Sequence, residues 1–144
     1  MKRFEFPLAR VRDYRREQLE AEEAKLHVLL TERQALETES TRLANEAVET
    51  RLSLMVTGSA QSQDLSAMDA YLRHLAGAKR RHALKLIEWQ ERAAKQQQAV
   101  IEARRKVKLM EKLEERRYHE WKQALDREQE NLSSELYLAR WRRV

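Results

Sequence analysis

The stretch Thr57-Gly58-Ser59-Ala60-Gln61-Ser62-Gln63-Asp64 is the place in the chain where a helix would naturally stop. Gly58 supplies the conformational freedom of a turn, and the serines and Asp64 can hydrogen-bond to the nearby backbone. On both sides of this stretch, apolar residues recur every three or four positions, as on one face of a helix. The sequence therefore predicts a turn at residues 57–64 between two helices, one over about residues 8–55 and the other over about residues 65–142.

The composition is typical of a protein built from long helices. Of the 144 residues, 37% are charged, while two are glycine and one is proline. Chains rich in alanine, glutamate, lysine, leucine and arginine tend to form coiled coils or long helices rather than compact globules. We therefore expect an all-α protein that forms a single elongated coiled-coil unit over residues 1–144.

Apolar residues form a seam along each predicted helix. In the first helix the seam comprises Leu19, Leu26, Leu29, Leu36, Leu43, Ala47 and Leu54. In the second helix it comprises Leu65, Met68, Leu72, Leu75, Leu86, Trp89, Ala93, Val100, Ala103, Val107 and Met110. Steps of three, four and seven residues keep side chains on one face of a helix, so these residues are the predicted core of a coiled coil.

The two predicted helices carry opposite charge. Residues 17–50 contain nine acidic and three basic side chains, whereas residues 65–110 contain four acidic and eleven basic ones, which gives net charges of −6 and +7. A short connection favours antiparallel neighbours, and this pairing places the acidic stretch beside the basic one. The favoured fold is an antiparallel two-helix coiled-coil hairpin, with a parallel homodimer as the alternative.

The predicted arms differ in length, and two registers are open. Gly77, close to the polar seam residue His82, marks a possible hinge or short separate helix near residues 65–78, because glycine within a helix costs about 1 kcal/mol relative to alanine. With a separate short helix Leu8 would lie opposite about residue 126, and with a continuous helix opposite about residue 114.

In both registers the last turns of the second helix extend beyond the first helix. The apolar side chains there have no partner within the hairpin; they are Leu132, Leu136 and Trp141. Exposed apolar groups of this kind mark a binding surface.

The sequence offers no pattern for catalysis or for a bound cofactor. Two isolated glycines cannot form a phosphate-binding loop, and a chain without cysteine forms no disulfide and no thiolate zinc site. The histidines include no pair four residues apart and no Glu-x-x-His motif; they are His27, His74, His82 and His119. We expect a protein that is not an enzyme and that uses no metal or cofactor.

Two basic runs could attract nucleic acid or anionic lipid. They comprise residues 79–82 with Lys85, and residues 104–106 with Lys108. The acidic arm is placed to neutralise them, and the net charge of +5 is modest for this length. We therefore expect no specific nucleic acid partner, while a structural or nucleic-acid-associated coiled-coil protein is the alternative from another class.

Three features together resemble the FliJ family of flagellar export proteins. The chain opens with Phe4-x-Phe6-x-Leu8-x-x-Val11, its heptads are nearly continuous, and residues 107–116 read Val-Lys-Leu-Met-Glu-Lys-Leu-Glu-Glu-Arg. Members of the family characteristically open with F-x-F-x-L and carry V-x-x-L/M-E-K-L-x-E-R in the second helix. The resemblance spans almost the whole chain.

The resemblance implies a non-catalytic component of the flagellar type III protein export apparatus. FliJ-like proteins form an antiparallel coiled coil similar to the stalk of rotary ATP synthases. They insert into the export ATPase ring, promote its assembly, contact the cytoplasmic domain of the export gate membrane protein and assist substrate chaperones. The equivalent stalk of a virulence type III secretion system is a close alternative. No apolar run approaches the roughly 20 residues of a membrane span, so we expect a cytoplasmic protein held peripherally at the inner face of the cell membrane by its partners.

By the same resemblance, residues of this chain are assigned to two contacts. The implied contact with the ATPase ring comprises Phe4, Phe6, Leu8, Val11, Leu113, Arg116, Arg117 and Trp121. The implied contact with the export gate comprises Tyr71 and Leu75, an aromatic residue followed four positions later by leucine. Leu75 also lies on the predicted seam, so simple packing is an equally good interpretation of this pair.

Overall fold

The computed structural model describes residues 2–57 and 62–143. Within these ranges the chain forms two α-helices and no strand: α1 spans Ala9–Thr57 and α2 spans Ser62–Arg142. The prediction of an all-α fold with two helices packed against each other is confirmed.

Of the predicted turn, residues 58–61 lie outside the described residues. Thr57 and residues 62–64 are helical. Helix α2 therefore begins at Ser62 rather than at the first apolar seam residue, Leu65. A polar first turn is favourable because Asp64 places a carboxylate near the positive end of the helix dipole.

Helix α1 begins just after Pro7. The Ala9 amide donates to the Phe6 carbonyl at 3.1 Å and the Arg12 amide donates to the Leu8 carbonyl at 2.9 Å, so a turn leads directly into the helix. Proline suits this position because it has no amide to leave unpaired and its φ is already close to the helical value. Residues 2–6 precede the helix as an irregular segment.

Helix α2 continues through Gly77 without interruption, so the possible hinge or short separate helix near residues 65–78 does not form. Packing explains the continuity. The buried cluster beside Gly77 consists of Leu43, Ala47 and Leu75, with Leu72 and Ala78 packed against it. The stabilisation from this burial exceeds the cost of about 1 kcal/mol that one glycine imposes on a helix.

Contacts divide the chain into two compact units, which we call the terminal unit and the central unit. The terminal unit comprises Met1–Ala21 and Ile101–Val144, and the central unit comprises Glu22–Val100. The single elongated unit expected from the sequence stays a prediction.

In the central unit the two helices run antiparallel. The hydrogen bonds between them pair residues that descend along α2 as they ascend along α1: Glu22 with Gln96, Leu29 with Trp89, and Glu46 with Tyr71. The buried apolar side chains of this unit all belong to the predicted seam; they are Leu43, Ala47, Leu75, Trp89, Ala93 and Val100. Heptad spacing thus identified the core of this unit.

In the terminal unit the helices are also antiparallel. Arg12 pairs with Glu114 and Arg16 pairs with Glu111 at 3.4 Å, while the seam residue Val107 is 6% exposed. These pairs agree more closely with the register expected for a continuous α2 than with the register that puts Leu8 opposite about residue 126.

Candidate partner-binding surfaces

An aromatic cluster joins the N-terminal residues to α2 in the terminal unit. The Phe4 ring meets Tyr118 edge to face at 5.3 Å between centroids and lies 5.8 Å from the Trp121 ring. The Trp121 Nε1 group donates to the Lys2 carbonyl at 3.1 Å. Edge-to-face and tilted aromatic pairs are favourable beyond their buried area. The cluster therefore holds the irregular segment of residues 2–6 against α2.

Arg12 links the start of α1 to Phe6 and to α2 in the same unit. Its guanidinium lies 6.0 Å from the Phe6 ring centroid and hydrogen-bonds the carboxylates of Glu114 and Asp13. These hydrogen bonds, first that with Glu114, raise the pKa of Arg12 above its ordinary value. Arg12 therefore remains a cation that fixes the start of α1 on α2.

The structure divides the predicted ring-contact residues into two groups. Four are half-buried, namely Phe4, Phe6, Leu113 and Trp121. Four are exposed, namely Leu8, Val11, Arg116 and Arg117. Phe4 and Trp121 lie together in the aromatic cluster, whereas Arg116 pairs with Glu120 on its own helix at 3.4 Å. The exposed group is the part that a partner can reach without rearranging the hairpin.

The last turns of α2 carry an uncovered apolar surface. Leu132, Leu136 and Trp141 are 60%, 64% and 73% exposed, as the sequence predicted for these three residues. The sequence reasoning missed Tyr137 and Leu138, which are equally open. Residues 136–141, Leu-Tyr-Leu-Ala-Arg-Trp, present apolar groups around the whole helix. This apolar run in the sequence could have indicated that Tyr137 and Leu138 belong to the uncovered surface.

Tyr71 and Leu75, the predicted gate contact, occupy different environments. Leu75 is 3% exposed and packs in the central-unit core, whereas Tyr71 is 42% exposed. The Tyr71 ring stacks on His74 with 6.5 Å between centroids, and its hydroxyl donates to Glu46 at 3.4 Å. A partner can therefore reach Tyr71 directly, while Leu75 supports the helix beneath it.

The basic runs lie mainly on exposed faces of α2. Residues 79–81 and 104–106 are exposed, and Arg105 pairs with Glu102 of its own helix at 3.7 Å. His82 differs because it is 8% exposed and its Nε2 has no hydrogen-bond partner among the described residues. In the central unit Arg92 does pair with Glu32 of α1, at 3.2 Å, as the opposite charges of the two arms predicted.

The terminal unit reverses the predicted polarity of charge pairing. There α1 supplies the cations, Arg12 and Arg16, and α2 supplies the anions, Glu114 and Glu111. The charge sums over residues 17–50 and 65–110 included none of these four positions, so they could not anticipate these pairs.

Within residues 2–57 and 62–143, no group of three or more His, Asp or Glu side chains could hold a metal ion. Neither helix, over its described length, combines the length and apolarity needed to cross a bilayer.

Comparison with known proteins adds one match. The family model described as flagellar FliJ protein matches residues 4–144, nearly the whole chain. No curated protein and no solved structure matches the chain. The matched range includes both the opening Phe4-x-Phe6-x-Leu8 element and residues 107–116.

Proposed function

Because this chain belongs to the FliJ family of flagellar export proteins, we propose that it is a non-catalytic component of the flagellar type III protein export apparatus that serves flagellum assembly and motility. In this role it inserts into the export ATPase ring, promotes ring assembly, links the ring to the export gate and assists substrate chaperones. Its place is the cytoplasm, at the inner face of the cell membrane, where these partners hold it.

The ring contact in this proposal uses the terminal unit. Leu8 and Val11 offer exposed apolar surface, and Arg116 and Arg117 offer exposed positive charge. The observation that carries the proposal is the uncovered apolar run that follows Trp121 on α2. A helix with apolar side chains on all sides suits a ring that surrounds it, because every face then finds a contact.

The gate contact in this proposal uses the central unit. Tyr71 provides an exposed aromatic anchor of the kind that dominates binding energy at protein interfaces. Leu75 acts indirectly, since its buried side chain keeps this turn of α2 packed on Leu43 and Ala47. The coupling between ring and gate is mechanical in this view, and the chemistry of ATP hydrolysis belongs to the ring.

Binding and turnover assays with the purified flagellar ATPase test the ring contact. We expect the wild-type chain to bind the ATPase and to raise its oligomerisation and ATP turnover. The triple variant Arg116→Glu, Arg117→Glu, Trp121→Ala should lose most binding while its helicity stays unchanged. The matched control Arg80→Glu, Arg81→Glu reverses two exposed adjacent arginines of the central unit and should bind normally. Unchanged binding by the triple variant would remove the assignment.

A pair of alanine variants tests the gate contact. Tyr71→Ala should weaken binding to the cytoplasmic domain of the gate protein with little loss of stability, because Tyr71 is an exposed residue outside the buried core. Leu75→Ala should instead lower the free energy of unfolding by about 2–5 kcal/mol, the usual cost of truncating a buried leucine. Normal gate binding by Tyr71→Ala contradicts the proposal.

A further inference from the structure

Helix α2 extends beyond the part of the terminal unit that the N-terminal residues cover. The carbonyl of Lys2, the first described residue, accepts the hydrogen bond from Trp121. Leu125 is still half-buried, but every described side chain from residue 126 onward is exposed. Within the described chain, cover for α2 therefore ends near Leu125.

The stripe that faces the hairpin continues along this uncovered segment. After Trp121 and Leu125, the residues Leu132, Leu136 and Ala139 follow at steps of seven, four and three. The side chains of Leu132 and Leu136 are 60% and 64% exposed. This surface is continuous with the face of α2 that the N-terminal residues cover and keeps its spacing, so it has the form of a seam for another helix.

The charges of the segment are divided between its two halves. Residues 126–135 have a net charge of −3, from Asp126, Glu128, Glu130 and Glu135 against Arg127. Residues 140–143 have a net charge of +3, from Arg140, Arg142 and Arg143. A segment with acidic and basic halves is complementary to itself when two copies run in opposite directions.

We infer that residues 125–143 of two copies of this chain pair as an antiparallel coiled coil. The heptad places Leu132 of one copy against Leu136 of the other. At the flanking positions, Asp126 of one copy then lies beside Arg140 of the other, and Glu128 lies beside Arg142. Two-fold symmetry makes each of these ion pairs twice.

The alternative alignment in parallel is less favourable. In the antiparallel pair, the four attractions between opposite charges outnumber one repulsion, that between Glu135 of one copy and Glu135 of the other. A parallel pair in register would place Arg143 beside Arg143 and would keep only the attraction of Glu135 for Arg140, made twice. The helix is already formed in each copy, so pairing carries no cost of helix nucleation. The inference rests on this segment alone and does not depend on ring binding. Because the proposed ring contact uses the same apolar residues, one chain cannot pair through them and insert them into a ring at the same time.

Light scattering coupled to size-exclusion chromatography tests the pairing over a concentration series. The mass of the wild-type chain should rise from 17.2 kDa towards twice that value as its concentration increases. The variant Leu132→Glu, Leu136→Glu should stay at 17.2 kDa throughout. The matched control Leu84→Glu, Ile87→Glu changes two exposed aliphatic residues of the central unit and should dimerise as the wild type does. A wild-type chain that stays monomeric at every concentration overturns the inference.

Charge reversal tests the register. Arg140→Asp should raise the dissociation constant of the dimer about tenfold, because two attractions become repulsions. Adding Asp126→Arg to the same chain should restore most of the affinity. A second substitution that fails to restore affinity contradicts the proposed pairing of these residues.

Disulfide formation tests the direction, because the natural chain has no cysteine. Oxidation of a mixture of Leu132→Cys and Leu136→Cys chains should link one to the other, while each alone links poorly. Only side chains with closely spaced Cα atoms can form the bond. Efficient linking of Leu132→Cys chains to themselves would indicate a parallel dimer and overturn the antiparallel assignment.

Discussion

At the scale of single residues, Trp89 combines packing with hydrogen bonding. Its side chain is 8% exposed, its Nε1 donates to the Leu29 carbonyl at 2.7 Å, and the Arg33 guanidinium lies 5.6 Å from its ring centroid. We expect Trp89→Phe to lower the free energy of unfolding by about 1–2 kcal/mol, since the hydrogen bond and some packing are lost. Denaturant unfolding followed by circular dichroism measures this change. Trp141→Phe, at a 73% exposed position, is the control, and equal effects of the two variants contradict the prediction.

Glu22 is a residue whose charge links stability to pH. The Gln96 side-chain amide donates to its carboxylate at 2.6 Å, and this bond, with a further one from Lys25, lowers the pKa of Glu22. A lowered pKa in the folded state stabilises the fold above the unfolded pKa, and this contribution is lost as the pH falls through the folded value. We expect Gln96→Leu to be less stable than wild type at neutral pH, with a difference that narrows below about pH 4.

The measurement for Glu22 is an NMR titration of its carboxyl group in both proteins. Gln96→Leu should move the pKa of Glu22 upward, towards its ordinary value, because the hydrogen bond that lowers it most is absent. An equal pKa of Glu22 in both proteins would show that the hydrogen bond from Gln96 does not lower it.

At the scale of helices, α2 carries Gly77 at a position where the helix continues without interruption. A Cβ added at Gly77 would meet Arg81 Nη1 at 3.4 Å, an ordinary contact with the end of a flexible side chain. We expect Gly77→Ala to raise the free energy of unfolding by about 0.5–1 kcal/mol through helix propensity. Ala83→Gly, at an exposed position of the same helix, should lower it by a similar amount. Thermal unfolding of both variants is the test, and destabilisation by Gly77→Ala would indicate a requirement for glycine there.

Sequence reasoning predicted the helices and the central seam because heptad spacing is a local property of the chain. Leu43, Ala47 and Leu75 were placed in the core on that basis, and they are buried. Register is not local, since it depends on how the whole of α2 packs. The contact of Lys2 with Trp121 therefore could not be read from spacing. The burial of His82 agrees with its position on the predicted seam. The different environments of Tyr71 and Leu75 also agree with the predicted seam, which includes Leu75 but not Tyr71.

At the scale of the whole molecule, the distribution of charge selects the pairing more than it stabilises it. The Arg92–Glu32 and Arg16–Glu111 side chains are all between 46% and 55% exposed, so water and salt screen them. We expect an increase in NaCl from about 0.05 M to 0.5 M to shift the thermal midpoint by less than about 3 °C. A large fall in the midpoint would show that ion pairs, rather than the leucine seam, hold the hairpin together.

The three tryptophans form a graded series of solvent exposure, from buried Trp89 through half-buried Trp121 to open Trp141. Indole fluorescence moves to longer wavelength as its surroundings become more polar. Each tryptophan therefore has its own emission maximum and its own degree of quenching by iodide. Single-tryptophan versions of the chain carry a built-in optical reporter of its central core, its aromatic cluster or its uncovered tip.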